Sequence, residues 1–183
     1  RSREVLGRYG LVEDTEELYP FQLSGGMTRR VLISTAVMEK PELVIADEPT
    51  PGLHISAAKR VLSHFREIAD RGAGVLLITH DLELALQVAD RIVVFYAGTN
   101  VEEAAVSDFQ KEERLRHPYT RALYRAMPSH GFEVQPGAQP YVKDLPVGCP
   151  YGPRCPIADQ GCMEEIEYRA YEGGMVKCRK AGT

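Results

Sequence analysis

Apolar positions along the chain follow two periods that take turns. Val31, Leu32, Thr35 and Met38, and then Ala58, Val61, Leu62, Phe65 and Ile68, recur mostly at spacings of three and four, which predicts helices over about 25–39 and 55–70. Short apolar runs at 42–46, 75–79 and 91–96 have the length of buried strands and fall far below the ~20 residues that cross a bilayer. A helix over 3–9 closes near Gly10, and another over 82–89 follows the second strand. Pro41, Gly72 and Gly74 punctuate the pattern, and residues 96–100 form a turn that leads back into Val101-Glu102-Glu103. Helices and strands that alternate in this way indicate a layered α/β domain with a mostly parallel sheet.

Beyond residue 104 the pattern changes. A charged helical stretch runs to Arg116, a helix over 119–127 starts behind Pro118, and seven prolines between 128 and 156 argue against regular structure. This places a boundary near 127, with a domain over 1–127 and an extension over 128–183. The length of 183 residues suits one domain with an appendage, and a net charge of −4 gives no reason to expect nucleic acid. The chain opens on Arg1-Ser2-Arg3 with no signal peptide, so it reads as a processed or truncated start.

Two short stretches carry chemistry. Ser24-Gly25-Gly26 opens a helix, where unpaired N–H groups and the positive end of the helix dipole favour an anion. Asp47-Glu48 ends a strand, where a parallel sheet presents a metal ligand and a base. Either alone is more often a helix cap or a solvated loop, so the weight lies in their order and spacing. Cys149, Cys155, Cys162 and Cys178 all fall in the last 35 residues, which favours a metal site over disulfides in a chain without a signal peptide. Their spacing lacks the close pairs of common zinc sites, and inert thiols remain an open reading.

Gln22-Leu23-Ser24-Gly25-Gly26-Met27, then Ile45-Ala46-Asp47-Glu48-Pro49-Thr50, then Leu77-Ile78-Thr79-His80-Asp81 resemble the signature motif, Walker B strand and switch histidine of ATP-binding-cassette (ABC) transporter ATPases. His117-Pro118-Tyr119-Thr120-Arg121-Ala122-Leu123, and Gly148-Cys149-Pro150 with Pro153-Arg154-Cys155-Pro156, are similar to the C-terminal half of the dipeptide, oligopeptide and nickel importer branch. The resemblance implies the C-terminal part of an ABC-type P-loop ATPase domain followed by a proline- and cysteine-rich extension. It implies that Ser24, Gly25 and Gly26, with Gln22 beside them, contact ATP held by a second ATPase subunit. Asp47 is then the Mg²⁺-side carboxylate, Glu48 the general base and His80 a ligand of the γ-phosphate. The four cysteines are then ligands of a [4Fe–4S] cluster, with zinc as the alternative. Implied partners are a second ATPase subunit, membrane permeases and, indirectly, an extracytoplasmic binding protein, with the chain peripheral on the cytoplasmic face of the membrane. A soluble ABC protein of a phosphonate-degrading complex and a non-catalytic metal-binding module are the rival readings.

Two departures stand out. None of the lysines at 40, 59, 111, 143, 177 and 180 follows a glycine, so the phosphate loop Gly-x4-Gly-Lys-Ser/Thr (Walker A) is absent from the sequence. The chain alone is therefore expected to be inactive and to resemble the C-terminal portion of a longer subunit. His54 also stands where the family carries the aspartate of its D-loop, which puts the coupling of two ATP sites in question.

Overall fold

The computed structural model describes residues 2–182, and these fall into two compact units that divide between Val88 and Ala89. In the first unit, α1 (Ser2–Arg8) and α2 (Gly25–Val37) precede β1 (Leu43–Asp47), α3 (Ile55–Asp70), β2 (Gly74–Ile78) and the short α4 (Leu82–Ala85). β1 and β2 pair in parallel, Leu43 opposite Gly74 and Asp47 opposite Ile78. The spacing of Ala58, Val61, Leu62 and Phe65 turns one face of α3 inward, where they pack with Tyr9, Val44, Ala46 and Leu84. Gly72, with a φ of 97°, lets the chain reverse after α3 so that the Gly74 N–H can reach the Glu42 carbonyl and begin β2.

The second unit is built on antiparallel pairing. β3 (Arg91–Tyr96), β4 (Thr99–Ala105), β5 (Arg169–Tyr171) and β6 (Gly174–Val176) form one sheet in the order β3-β4-β6-β5. This corrects the expectation of a mostly parallel sheet, since among the described residues β1–β2 is the one parallel pair. The physical reason is the loop length. Ala97 and Gly98 form a two-residue turn with φ values of 48° and 78°, a geometry that closes only antiparallel strands. Glu172 and Gly173, at 44° and 80°, repeat the device between β5 and β6.

The charged stretch after β4 is two 3₁₀ turns, Val106–Gln110 and Glu112–Arg114, rather than an α-helix, and α5 spans Pro118–Arg125. Between Pro128 and Pro156 the backbone forms only short 3₁₀ turns, as its prolines require. The division between units lies upstream of the compositional boundary near 127, because β4 hydrogen-bonds to β6 and so joins the two sides of that boundary in one sheet. At its centre, Glu102 and Arg116 are buried together. Glu102 accepts from the Arg116 N–H at 2.9 Å, the Arg116 guanidinium at 3.3 Å and the His117 N–H at 2.7 Å. Arg116 also donates to Asp108 at 2.9 Å, to the Tyr171 carbonyl at 2.8 Å and to the Glu172 carbonyl. One guanidinium thereby fastens the β5–β6 turn to the chain before α5.

Candidate functional site

The end of β1 carries the densest chemistry of the first unit. Asp47 closes the strand with an exposed side chain, and Glu48 follows with a φ of 44°, a left-handed conformation that costs a non-glycine residue about 1–3 kcal/mol. The Glu48 N–H still donates to the Ile78 carbonyl at 2.9 Å, so the carboxylate stands beside the end of β2. There Glu48 Oε1 accepts from the His80 N–H at 3.2 Å and lies 2.8 Å from His80 Nδ1. The hydrogen bond and the charge of Glu48 together hold the His80 imidazole above its ordinary pKa. Glu48 Oε2 is buried and has no hydrogen-bond partner among the described residues.

Ser24 starts α2. Its hydroxyl accepts the Met27 N–H at 3.3 Å, and Gly25 and Gly26 form the first turn. A Cβ at Gly25 would meet nothing within 4 Å, so no neighbour in this chain requires glycine there and the helix start is open to a group from outside. Gly26 faces Leu53, and Arg29 donates to the Pro51 carbonyl, which ties α2 to the loop after β1. Gln22 turns its carboxamide oxygen to the Tyr19 N–H at 2.9 Å and closes the turn before α2. His54 is the N-cap of α3: Nδ1 lies 3.4 Å from the Ser56 N–H and 3.0 Å from Ser56 Oγ. Imidazole thus takes over the local capping task of an aspartate, without its charge.

The exposed Asp47 carboxylate is a hard donor of the kind Mg²⁺ accepts. Among the described residues, however, no group of three or more His, Cys, Asp or Glu could hold a metal ion by itself. A single carboxylate suits an ion that keeps waters and takes its remaining ligands from nucleotide phosphates.

In the second unit, Cys149, Cys155, Cys162 and Cys178 line one cavity of about 10 Å³ together with His117, room for roughly one water. The sequence brings the thiols together but does not arrange them as ligands, so the expected [4Fe–4S] cluster, and zinc in its place, finds no support here. Burial raises the pKa of the Cys149 and Cys155 thiols and pushes Cys178 up to about 11. His117, which the sequence reading did not single out as a site residue, is driven down to about 4 by burial and so is neutral at pH 7. Its Nδ1 accepts the Tyr119 N–H at 3.0 Å, which leaves Nε2 to carry the proton, 3.7 Å from Cys149 Sγ.

The family model of ABC transporters matches residues 1–51, and that of the oligopeptide/dipeptide transporter C-terminal region matches 101–162. The dipeptide transport ATP-binding protein DppD of Haemophilus influenzae is 38% identical over 188 residues, covering 97% of this chain and 56% of the relative. Its Escherichia coli counterpart is also 38% identical, covering 90% and 52%. A solved ATP-binding subunit of an ABC transporter shares 32% identity at a TM-score of 0.55, covering 60% of this chain and 45% of its own. The dimeric cassette MJ0796 in a post-hydrolysis state with ADP and phosphate gives 29% and 0.53, covering 56% and 44%. The chain is thus similar to the ATP-binding proteins of ABC transporters and, over residues 101–162, to the oligopeptide/dipeptide C-terminal region. It spans about half the length of the curated relatives it matches.

Proposed function

We propose that this chain forms the signature and Walker B portion of an ATP-hydrolysing subunit that powers the import of oligopeptides or dipeptides. The observation that carries the reading is the Glu48 carboxylate at the end of β1, held against His80 at the end of β2. The relatives, which are dipeptide transport ATP-binding proteins, favour peptides over nickel as the cargo.

Glu48 is the general base. Once His80 Nδ1 moves off Oε1, that oxygen can accept a proton from an attacking water while Oε2 stays buried. His80, exposed and with a raised pKa, can leave Glu48 and donate to a phosphate oxygen. The open first turn of α2, with Ser24, Gly25 and Gly26, favours phosphate charge through its N–H groups and dipole. Asp47 would hold Mg²⁺ through water, and the ion would supply charge neutralisation at the phosphates. Gln22 acts by closing the turn ahead of Ser24. Since the sequence lacks the phosphate loop, nucleotide must be held by another segment, and a second ATPase subunit would place its ATP against α2. No helix among the described residues is long and apolar enough to cross a membrane, so a seat on the cytoplasmic membrane face would come from permease subunits. The extracytoplasmic binding protein would act through those permeases.

The test is affinity purification from solubilised membranes of cells that express the chain in its native context. Recovery of integral peptide permeases is expected. A complex of soluble proteins alone would favour the phosphonate-type assembly, and recovery of the chain by itself would favour a non-catalytic module.

A further inference from the structure

The end of α1, α2 and the start of α3 border a cavity of about 210 Å³ lined by Tyr9, Arg30, Ser56, Ala57, Arg60 and Val61. None of these residues has a part in the nucleotide chemistry above. Gly10, with a φ of 68°, follows α1 and leaves room for two guanidinium groups, since a Cβ there would lie 2.7 Å from Arg60 Nη1 and 3.4 Å from Arg30 Nη1. Both cations therefore approach one point of the backbone. Arg30 is fixed there: its Nη1 donates to the Tyr9 carbonyl at 3.2 Å and the Gly10 carbonyl at 2.9 Å, and its Nε to the Gly26 carbonyl at 3.1 Å. Arg60 is exposed and has no hydrogen bond or ion pair among the described residues.

No carboxylate among the described residues pairs with either guanidinium, and Glu67, whose charge is felt at Tyr9, is paired with Arg71 at 3.7 Å. Two like charges brought together without a counterion repel, so the arrangement favours an anion between them. Tyr9 adds a neutral donor. It is 3% exposed, burial raises its pKa so that the hydroxyl stays protonated, and that hydroxyl has no hydrogen-bond partner among the described residues. Chemistry selects the anion. One guanidinium fork saturates both oxygens of a carboxylate, whereas a phosphate group offers a tetrahedron of oxygens and up to two charges, enough for two guanidinium groups from different helices and a hydroxyl. We propose that this cavity binds a phosphate group, as the free ion or as a phosphomonoester, between Arg30 and Arg60 with Tyr9 beside them. The site uses residues other than Ser24, Gly25 and Gly26 and does not depend on the ATPase reading.

The test is isothermal titration calorimetry of the full chain at low ionic strength with inorganic phosphate, and in a second arm with glycerol phosphate. Saturable one-to-one binding is expected. Tighter binding of glycerol phosphate would support the site with a phosphomonoester as its ligand, and equal or weaker binding would support it with the free ion. Arg60→Gln should weaken binding by at least about tenfold, the loss of one charge-assisted pair, whereas Lys59→Gln, an exposed neighbouring charge, should change it less than about twofold. Because Arg60 holds nothing else in the chain, Arg60→Gln should fold, melt no lower than the parent without phosphate, and lose the rise in Tm that phosphate gives the parent. The proposal is overturned if millimolar phosphate gives no saturable binding, if acetate binds as tightly as phosphate, or if Arg60→Gln binds phosphate as tightly as the parent, which would put the anion at the open start of α2.

Discussion

Glu48 Oε1 and His80 Nδ1 meet at 2.8 Å although the residues lie 32 positions apart. Parallel register between β1 and β2 makes the meeting possible, because it ends both strands at the same level and lets the Glu48 N–H bond to Ile78. The left-handed backbone at Glu48 then turns its carboxylate toward the second strand. A strained residue that joins two strand ends is the kind of place where a fold concentrates function.

His80 should titrate above the ordinary histidine value of about 6.5. The raised pKa means that the pair is charged on both sides, and fully stabilising, below about 6.5, and that this contribution fades as pH rises through the folded value. Proton NMR of the His80 ring should show this, and Glu48→Gln should bring the midpoint down. An unchanged midpoint in the variant would remove the ion pair from the account.

His54→Ala should destabilise the first unit by about 1 kcal/mol, the usual loss for an N-cap. His54→Asp should retain or exceed the parent stability, since a carboxylate caps and also complements the helix dipole. Urea unfolding measures both. Equal stability of the alanine variant and the parent would mean that His54 does not cap α3.

Arg116→Met should cost about 3–5 kcal/mol, because it leaves the buried Glu102 carboxylate without its cation. Combining it with Glu102→Gln should recover part of the loss, and a double-mutant cycle by chemical denaturation gives the coupling. If the single variant lost less than about 1 kcal/mol, the network would not be what fastens the β5–β6 turn.

The second unit should weaken in acid. His117 is neutral in the fold down to about pH 4, whereas the unfolded chain takes up its proton near 6.5, so stability present above 6.5 is lost as pH falls toward 4. The difference corresponds to about 3 kcal/mol across that window. His117→Asn should flatten the dependence when stability is followed by thermal unfolding at several pH values, and an equally steep profile would assign it to another group.

Much of the first unit is legible in the sequence because its signals are local. The three-and-four spacing from Ala58 to Ile68 gives α3 to the residue, and Ser24 before two glycines marks the start of α2. Strand partners are another matter. The run at 91–96 gives β3 its length but not its direction, and only the φ values of Ala97 and Gly98 make it antiparallel. The β5–β6 hairpin escapes because its strands are three residues long, although Glu172-Gly173 is a recognisable turn. Gln22 illustrates a third limit, since a motif position does not reveal that its side chain is spent on Tyr19 N–H. The Glu102–Arg116 network and the place of His117 among the cysteines depend on contacts between distant segments, which carry no local pattern.

The most direct measurement is ATP turnover by a subunit in which this chain is joined to a phosphate-loop segment, compared with its Glu48→Gln variant. Loss of the proposed general base should slow hydrolysis by roughly 10²- to 10⁴-fold while ATP binding stays within about twofold of the parent, because the phosphate contacts proposed for Ser24, Gly25 and Gly26 would be untouched. A variant that still turned over at more than about a third of the parent rate would contradict the assignment of Glu48 as the base, and with it the hydrolytic role given to the end of β1.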